Sequence, residues 1–203
     1  VTIMQDLEEK VDLFFQDPNM SIPQPQPGQT VQIGVLHLLR RDVLLCLEAQ
    51  AWIPAAMAIL AGIDLLGKFL AGDDAGGKVS QRFKCFVKLY LPNLHPHEAE
   101  GLYQLRNALM HSFGLYSKGG KPPKQYFFVL NPGAGGRRDK GSVMEHYSGD
   151  QYFVGVSSLR DAFELAVAKY KTDLQARPDL QTKFEDMWPY YGSQTLALEP
   201  PLQ

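Results

Sequence analysis

The chain has 203 residues, a net charge of −2 and a pI near 6.2, with 45% hydrophobic and 21% charged residues. That is enough apolar material for one sizeable core, which excludes wholesale disorder and makes a second domain unnecessary, so residues 1–203 are expected to form a single unit. The near-neutral balance excludes a global attraction to nucleic acid, and any RNA contact has to come from a local patch.

Ile3, Leu7, Val11, Phe14 and Phe15 recur at helical spacing over residues 2–16, and Asp17-Pro18 stops the pattern. Acids occupy this stretch where a secretory leader carries basic residues followed by an apolar run, so a cytoplasmic location is expected. Residues 18–29 form a proline-rich arm, in which four prolines between Pro18 and Gly28 favour extended backbone. A second helix is expected from Thr30 to Glu48, carrying Val31, Val35, Leu38, Leu39, Leu45 and Leu47. Pro54 suits the first turn of a third helix over 52–71. Its apolar run, Ala51 to Ile63, falls short of the ~20 residues a bilayer requires, so it reads as a buried helix and no membrane contact is expected.

GDDAGG at 72–77 is an exposed connection, and a fourth helix follows over about 78–91. From His97 a polar start leads into LYQLRNALMHSFGLY, with Gly114 as the stop. QYFFVL at 125–130 and QYFVGV at 151–156 are short aromatic and β-branched runs that look like paired strands, so 118–156 is expected to be a basic loop and β-hairpin insertion. Helical spacing returns at 157–174, where Leu159, Phe163, Leu165, Val167 and Tyr170 line a buried face and Ser157 or Ser158 caps it. A last short helix spans 179–190. The fold class is mainly α.

At about 100° per residue, Leu102, Leu105, Leu109 and Phe113 fall within one arc of about 80°, and His111 lies almost opposite. Asn107 and Gln104 neighbour His111, and Arg106 sits on the rim of the apolar arc. Histidine gains and loses a proton near neutrality, and arginine presents a permanently charged planar fork to phosphate oxygens. An ordinary surface arginine and histidine would satisfy the same spacing.

The segment LRNALMHS, with Arg106, Asn107 and His111, resembles the R-x-x-x-x-H motif of the HEPN superfamily of ribonucleases and toxins. The resemblance covers residues 35–175 in helix order and about a dozen residues in motif. It implies a four- to five-helix bundle that dimerises so that two copies of the motif helix share a composite Arg106/His111 site. It also implies RNA as substrate, cleaved without a metal or other cofactor. Asp64, the lone acid of the apolar third helix, is expected either to orient Arg106 or His111, as a polar residue on a preceding helix does in some relatives, or to stand exposed at a helix end. A toxin–antitoxin setting would bring an antitoxin or nucleotidyltransferase partner. In one subgroup such an enzyme modifies a tyrosine two residues after the histidine, and that place is Phe113 here, with Tyr116 too far along. The alternative is a non-catalytic module of the same fold that binds RNA, a nucleotide or a protein.

Lys118, Lys121, Lys124, Arg137, Arg138 and Lys140 set six cations against Asp139 alone directly after the motif helix. They suit a phosphate backbone, although a solvated hairpin loop is the more ordinary reading of such a run. His95, His97 and Glu98 lack the further ligands a stable metal site needs. Cys46 and Cys85 lack metal-binding or disulfide spacing, and NPGAGGRR lacks the GK[ST] of a phosphate loop.

Overall fold

A computed structural model describes residues 2–26, 28–92, 94, 98–119, 124–132 and 142–197. The fold is mainly α. Helices α1 (Thr2–Phe14), α2 (Val35–Glu48), α3 (Trp52–Ala71), α4 (Val79–Tyr90), α5 (Glu98–Ser112), α6 (Val156–Ala176) and α7 (Pro178–Tyr191) are joined by strands β1 (Thr30–Gly34), β2 (Tyr116–Gly119), β3 (Lys124–Asn131), β4 (Met144–Ser148), β5 (Gln151–Gly155) and β6 (Ser193–Ala197). Seven helices among the described residues exceed the four or five expected.

α3 has the bounds its sequence predicts, and it is the axis of the molecule. Ala55, Ala56, Ile59, Leu60, Ile63, Leu66 and Phe69 are buried, because α2, α4, α5, α6 and α7 all pack around it. Length and composition alone would let it cross a membrane, but most of its apolar window is buried inside this core. Gly62 lets α6 approach, since a β-carbon there would stand 2.5 Å from Cζ of the buried Phe163. The half-exposed positions Met57, Ala61, Asp64 and Lys68 form one stripe along α3.

Several expected boundaries shift. Thr30–Gly34 is a strand rather than the start of α2, because it pairs antiparallel with β6 from Thr30↔Ala197 to Gly34↔Ser193. β-branched Thr30, Val31 and Ile33 tolerate either conformation locally, and the distant partner decides. With the register so set, α2 buries Leu36, His37 and Val43, whereas Leu45 is exposed. Leu165 is exposed on α6, and Ala166 takes its place in the core. Neither expected serine caps α6, because β5 runs into it through Gly155, and the Ser157 hydroxyl donates instead to the Pro132 carbonyl at 2.7 Å. The proline-rich arm is not free along its described length, since Pro25 is buried.

The runs 125–130 and 151–156 do pair, but as a parallel couple, Phe127↔Gln151 to Asn131↔Gly155, at the centre of a sheet ordered β2-β3-β5-β4. β2 and β4 flank this couple antiparallel, so the expected hairpin is a four-stranded mixed sheet. Its inner face, Tyr126, Phe128, Met144, Tyr152 and Val154, is buried and belongs to the same apolar cluster as the helices. α5 therefore lies between the α3/α4 core and this sheet.

Candidate functional site

α5 is covered on two sides. Leu102, Leu105 and Leu109 turn into the helical core as expected, while Gly101, Gln104 and Ala108 are buried as well. What stays open towards α3 and the solvent includes Tyr103, Arg106, Asn107, Met110 and His111. These positions recur at helical spacing and span an arc of about 140°. Phe113 does not continue the apolar arc. The helix ends at Ser112, and Phe113 takes a left-handed φ of 47° and is 80% exposed. The Gly114 N–H closes back on the Ala108 carbonyl at 3.2 Å, so the stop comes one residue before the expected glycine.

The open stripe faces the half-exposed stripe of α3, and the two meet where Arg106 reaches Asp64. Arg106 Nη2 donates to Asp64 Oδ2 at 2.7 Å, and both side chains are 15% exposed. Arg106 Nη1 lies 3.0 Å from His111 Nε2 and 3.3 Å from Asn107 Oδ1. A guanidinium has only donors, so His111 Nε2 accepts and its ring proton resides on Nδ1. Asp64 thus stands half-buried within α3 and not exposed at a helix end, and it fixes half of the arginine fork. Asp64 Oδ1 and Arg106 Nε are buried without a hydrogen-bond partner among the described residues.

The outer side of α5 is not open water, because β2 lies along it. Gln104, expected to stand with His111 on the outer face, is 4% exposed. Its Nε2 donates to Glu100 Oε1 at 2.8 Å, and its Oε1 accepts from the Ser117 hydroxyl at 2.7 Å. Glu100 also receives Lys84 Nζ at 2.8 Å. Burial pushes the Glu100 carboxyl up, but the bonds from Lys84 and Gln104 outweigh it and hold the group below its ordinary value. The strand approaches this closely because residue 119 is glycine: a β-carbon there would stand 2.3 Å from Gln104 Nε2.

Between α5 and β2 runs a groove of about 540 Å³, lined on one side by Tyr103, Asn107 and His111 and on the other by Tyr116, Ser117 and Lys118. Lys118 is exposed on this rim, so one member of the expected basic patch reaches the site. Lys124 does not line the groove. Its ammonium donates to the Tyr152 hydroxyl at 2.5 Å, and that bond holds it above its ordinary pKa. Lys121, Arg137, Arg138 and Lys140 lie outside the described residues, as do His95 and His97. Among the described residues no group of three or more His, Cys, Asp or Glu side chains is arranged to hold a metal. Sequence reasoning passed over Tyr116 and Ser117 as groove residues. Their signal is alternation over Tyr116–Gly119 directly after a helix stop, too short to identify a strand without its partner β3.

No family model, curated protein or solved structure matches the chain.

Proposed function

We propose that the chain is a metal-independent endoribonuclease of HEPN type, cytoplasmic, acting as a homodimer in a defence or toxin–antitoxin setting. The observation that carries this reading is the hydrogen-bonded series Asp64–Arg106–His111, in which a carboxylate on α3 holds an arginine of α5 against a histidine of that same helix. The motif spacing alone does not require that convergence.

The geometry suggests how the pair works. In the free site the lone pair of His111 Nε2 is occupied by Arg106. An entering phosphodiester competes for Nη1, which turns to a non-bridging oxygen and releases that lone pair, while Asp64 keeps hold of Nη2. Nε2 then removes the proton of the 2′-hydroxyl, O2′ attacks phosphorus, and the bond from phosphorus to O5′ breaks. The leaving O5′ takes a proton from the second copy's His111 in its protonated form. The products are a 2′,3′-cyclic phosphate and a 5′-hydroxyl. Arg106 favours the transition state by facing the charge that builds on the equatorial oxygens. Support for a shared site comes from the open stripe of α5 and from Phe113, two residues after His111, whose exposed ring offers apolar contact to a second copy.

The test incubates purified protein with mixed RNA in excess chelator, alongside His111→Ala and Arg106→Ala. Cyclic-phosphate ends from the wild type alone are expected. No cleavage by the wild type, or equal cleavage by His111→Ala, overturns the reading.

A second reading, a non-catalytic module that binds RNA, a nucleotide or a protein, draws on the net charge of −2 and on the neutralisation of Arg106 by Asp64. It expects binding that Arg106→Ala weakens, with no RNA product.

A further inference from the structure

The groove beside the Arg106–His111 pair has a composition of its own, and we infer that it seats one unpaired nucleobase next to the phosphate that is cut, stacked on Tyr116. This inference takes its substrate class from the ribonuclease reading.

Three observations carry it. Tyr116 borders the groove, is 45% exposed, and lies beside Phe127, its equally exposed cross-strand partner, with ring centroids 4.9 Å apart. Two adjacent aromatic rings, each with much of its surface open, offer flat area on which a heterocycle can stack. Asn107 lines the groove and carries two N–H groups on Nδ2 that suit an acceptor on the edge of a base. Gln104 and Ser117 are bonded to each other, so they make a fixed floor. Lys118, on the rim of β2, supplies a cation for a neighbouring phosphate.

The groove also has the right connection to the chemistry. His111 lines it and bonds to Arg106, so a nucleotide seated there holds its own phosphodiester at the pair. At about 540 Å³ it lies within the range of pockets that bury a small organic ligand. A base can stack on Tyr116 only if it has left its own helix, so the groove selects single strands over duplex.

The experiment measures fluorescence anisotropy of a labelled single-stranded 2′-deoxy octamer, which lacks the attacking hydroxyl and is not cut, with the full chain and with Tyr116→Ala, Tyr116→Phe and Tyr116→Leu. Tyr116→Ala and Tyr116→Leu are expected to raise Kd about tenfold or more, and Tyr116→Phe to stay within about twofold of wild type. The leucine variant keeps bulk on the sheet, so an effect of lost packing in the alanine variant is recognised by its absence in the leucine variant. Absence of binding by the wild type, equal affinity in all four proteins, or duplex bound as tightly as single strand overturns the inference. Failure of the nuclease reading appears separately, as missing cyclic-phosphate ends on RNA, because binding of the deoxy octamer requires no turnover.

Discussion

Replacing Asp64 by Leu and Arg106 by Met, singly and together, measures how firmly α3 holds the arginine. The pair is 2.7 Å apart with both side chains 15% exposed, which places it between a screened surface bridge and a fully buried one. Surface bridges contribute about 0.2–1 kcal/mol, whereas removing one partner of a buried pair costs about 3–5 kcal/mol. Each single variant should therefore lose about 2 kcal/mol, from the lost attraction and from the charge left half-buried. The double variant removes both charges, together with the unpartnered Asp64 Oδ1 and Arg106 Nε, so it should also lose only about 2 kcal/mol rather than the sum of about 4. In a chain of this length about 2 kcal/mol corresponds to a fall in Tm of about 4–8 °C. Urea titration of the four proteins gives the cycle. Additive losses, with a coupling below about 0.5 kcal/mol, would mean that Asp64 does not hold Arg106 in solution, and the positioning argument for the site would fail with it.

Phe113 takes its left-handed φ of 47° without gaining burial in its own chain, so under dilution to the monomer Phe113→Gly should raise stability by about 1 kcal/mol, read as a higher urea midpoint; a lower midpoint there would show that the ring packs within its own chain. Gly62→Ala should cost about 1–3 kcal/mol by driving a methyl into Phe163, and Phe163→Leu should recover part of that loss when combined with it; simple addition of the two costs would place the clash elsewhere. Burial, and after it the 3.0 Å bond to Asp173, push the Tyr90 hydroxyl from 10.0 up to about 12. The folded state holds this proton more tightly than the unfolded chain, so stability is intact below pH 10 and falls as pH rises from 10 towards 12. Urea midpoints across that interval should fall less steeply in Tyr90→Phe than in the wild type.

Much of the helical layer was legible from spacing alone. Residues 52–71 announce α3 because an apolar run opened by Pro54 has few other conformations to adopt, and Leu102, Leu105 and Leu109 mark the core side of α5 by recurring at helical intervals. The same local rule misassigned Leu45 and Leu165, which keep helical spacing but sit off the axis along which their helices meet α3. It also placed Phe113 in the core, since periodicity does not register a helix that ends one residue early.

By itself, then, the amino-acid order determined that the chain is mainly helical, where most helices run, and that an arginine and a histidine share one rod five residues apart. Only tertiary structure decided that Thr30–Gly34 is a strand, because its partner lies at Ser193–Ala197, and that the two aromatic runs pair in parallel. It likewise decided that Asp64 faces Arg106 and that β2 closes a groove over Gln104. Helical faces depend on neighbours three and four residues away, whereas strand pairing and ion pairs between helices depend on partners that only the packed chain brings together.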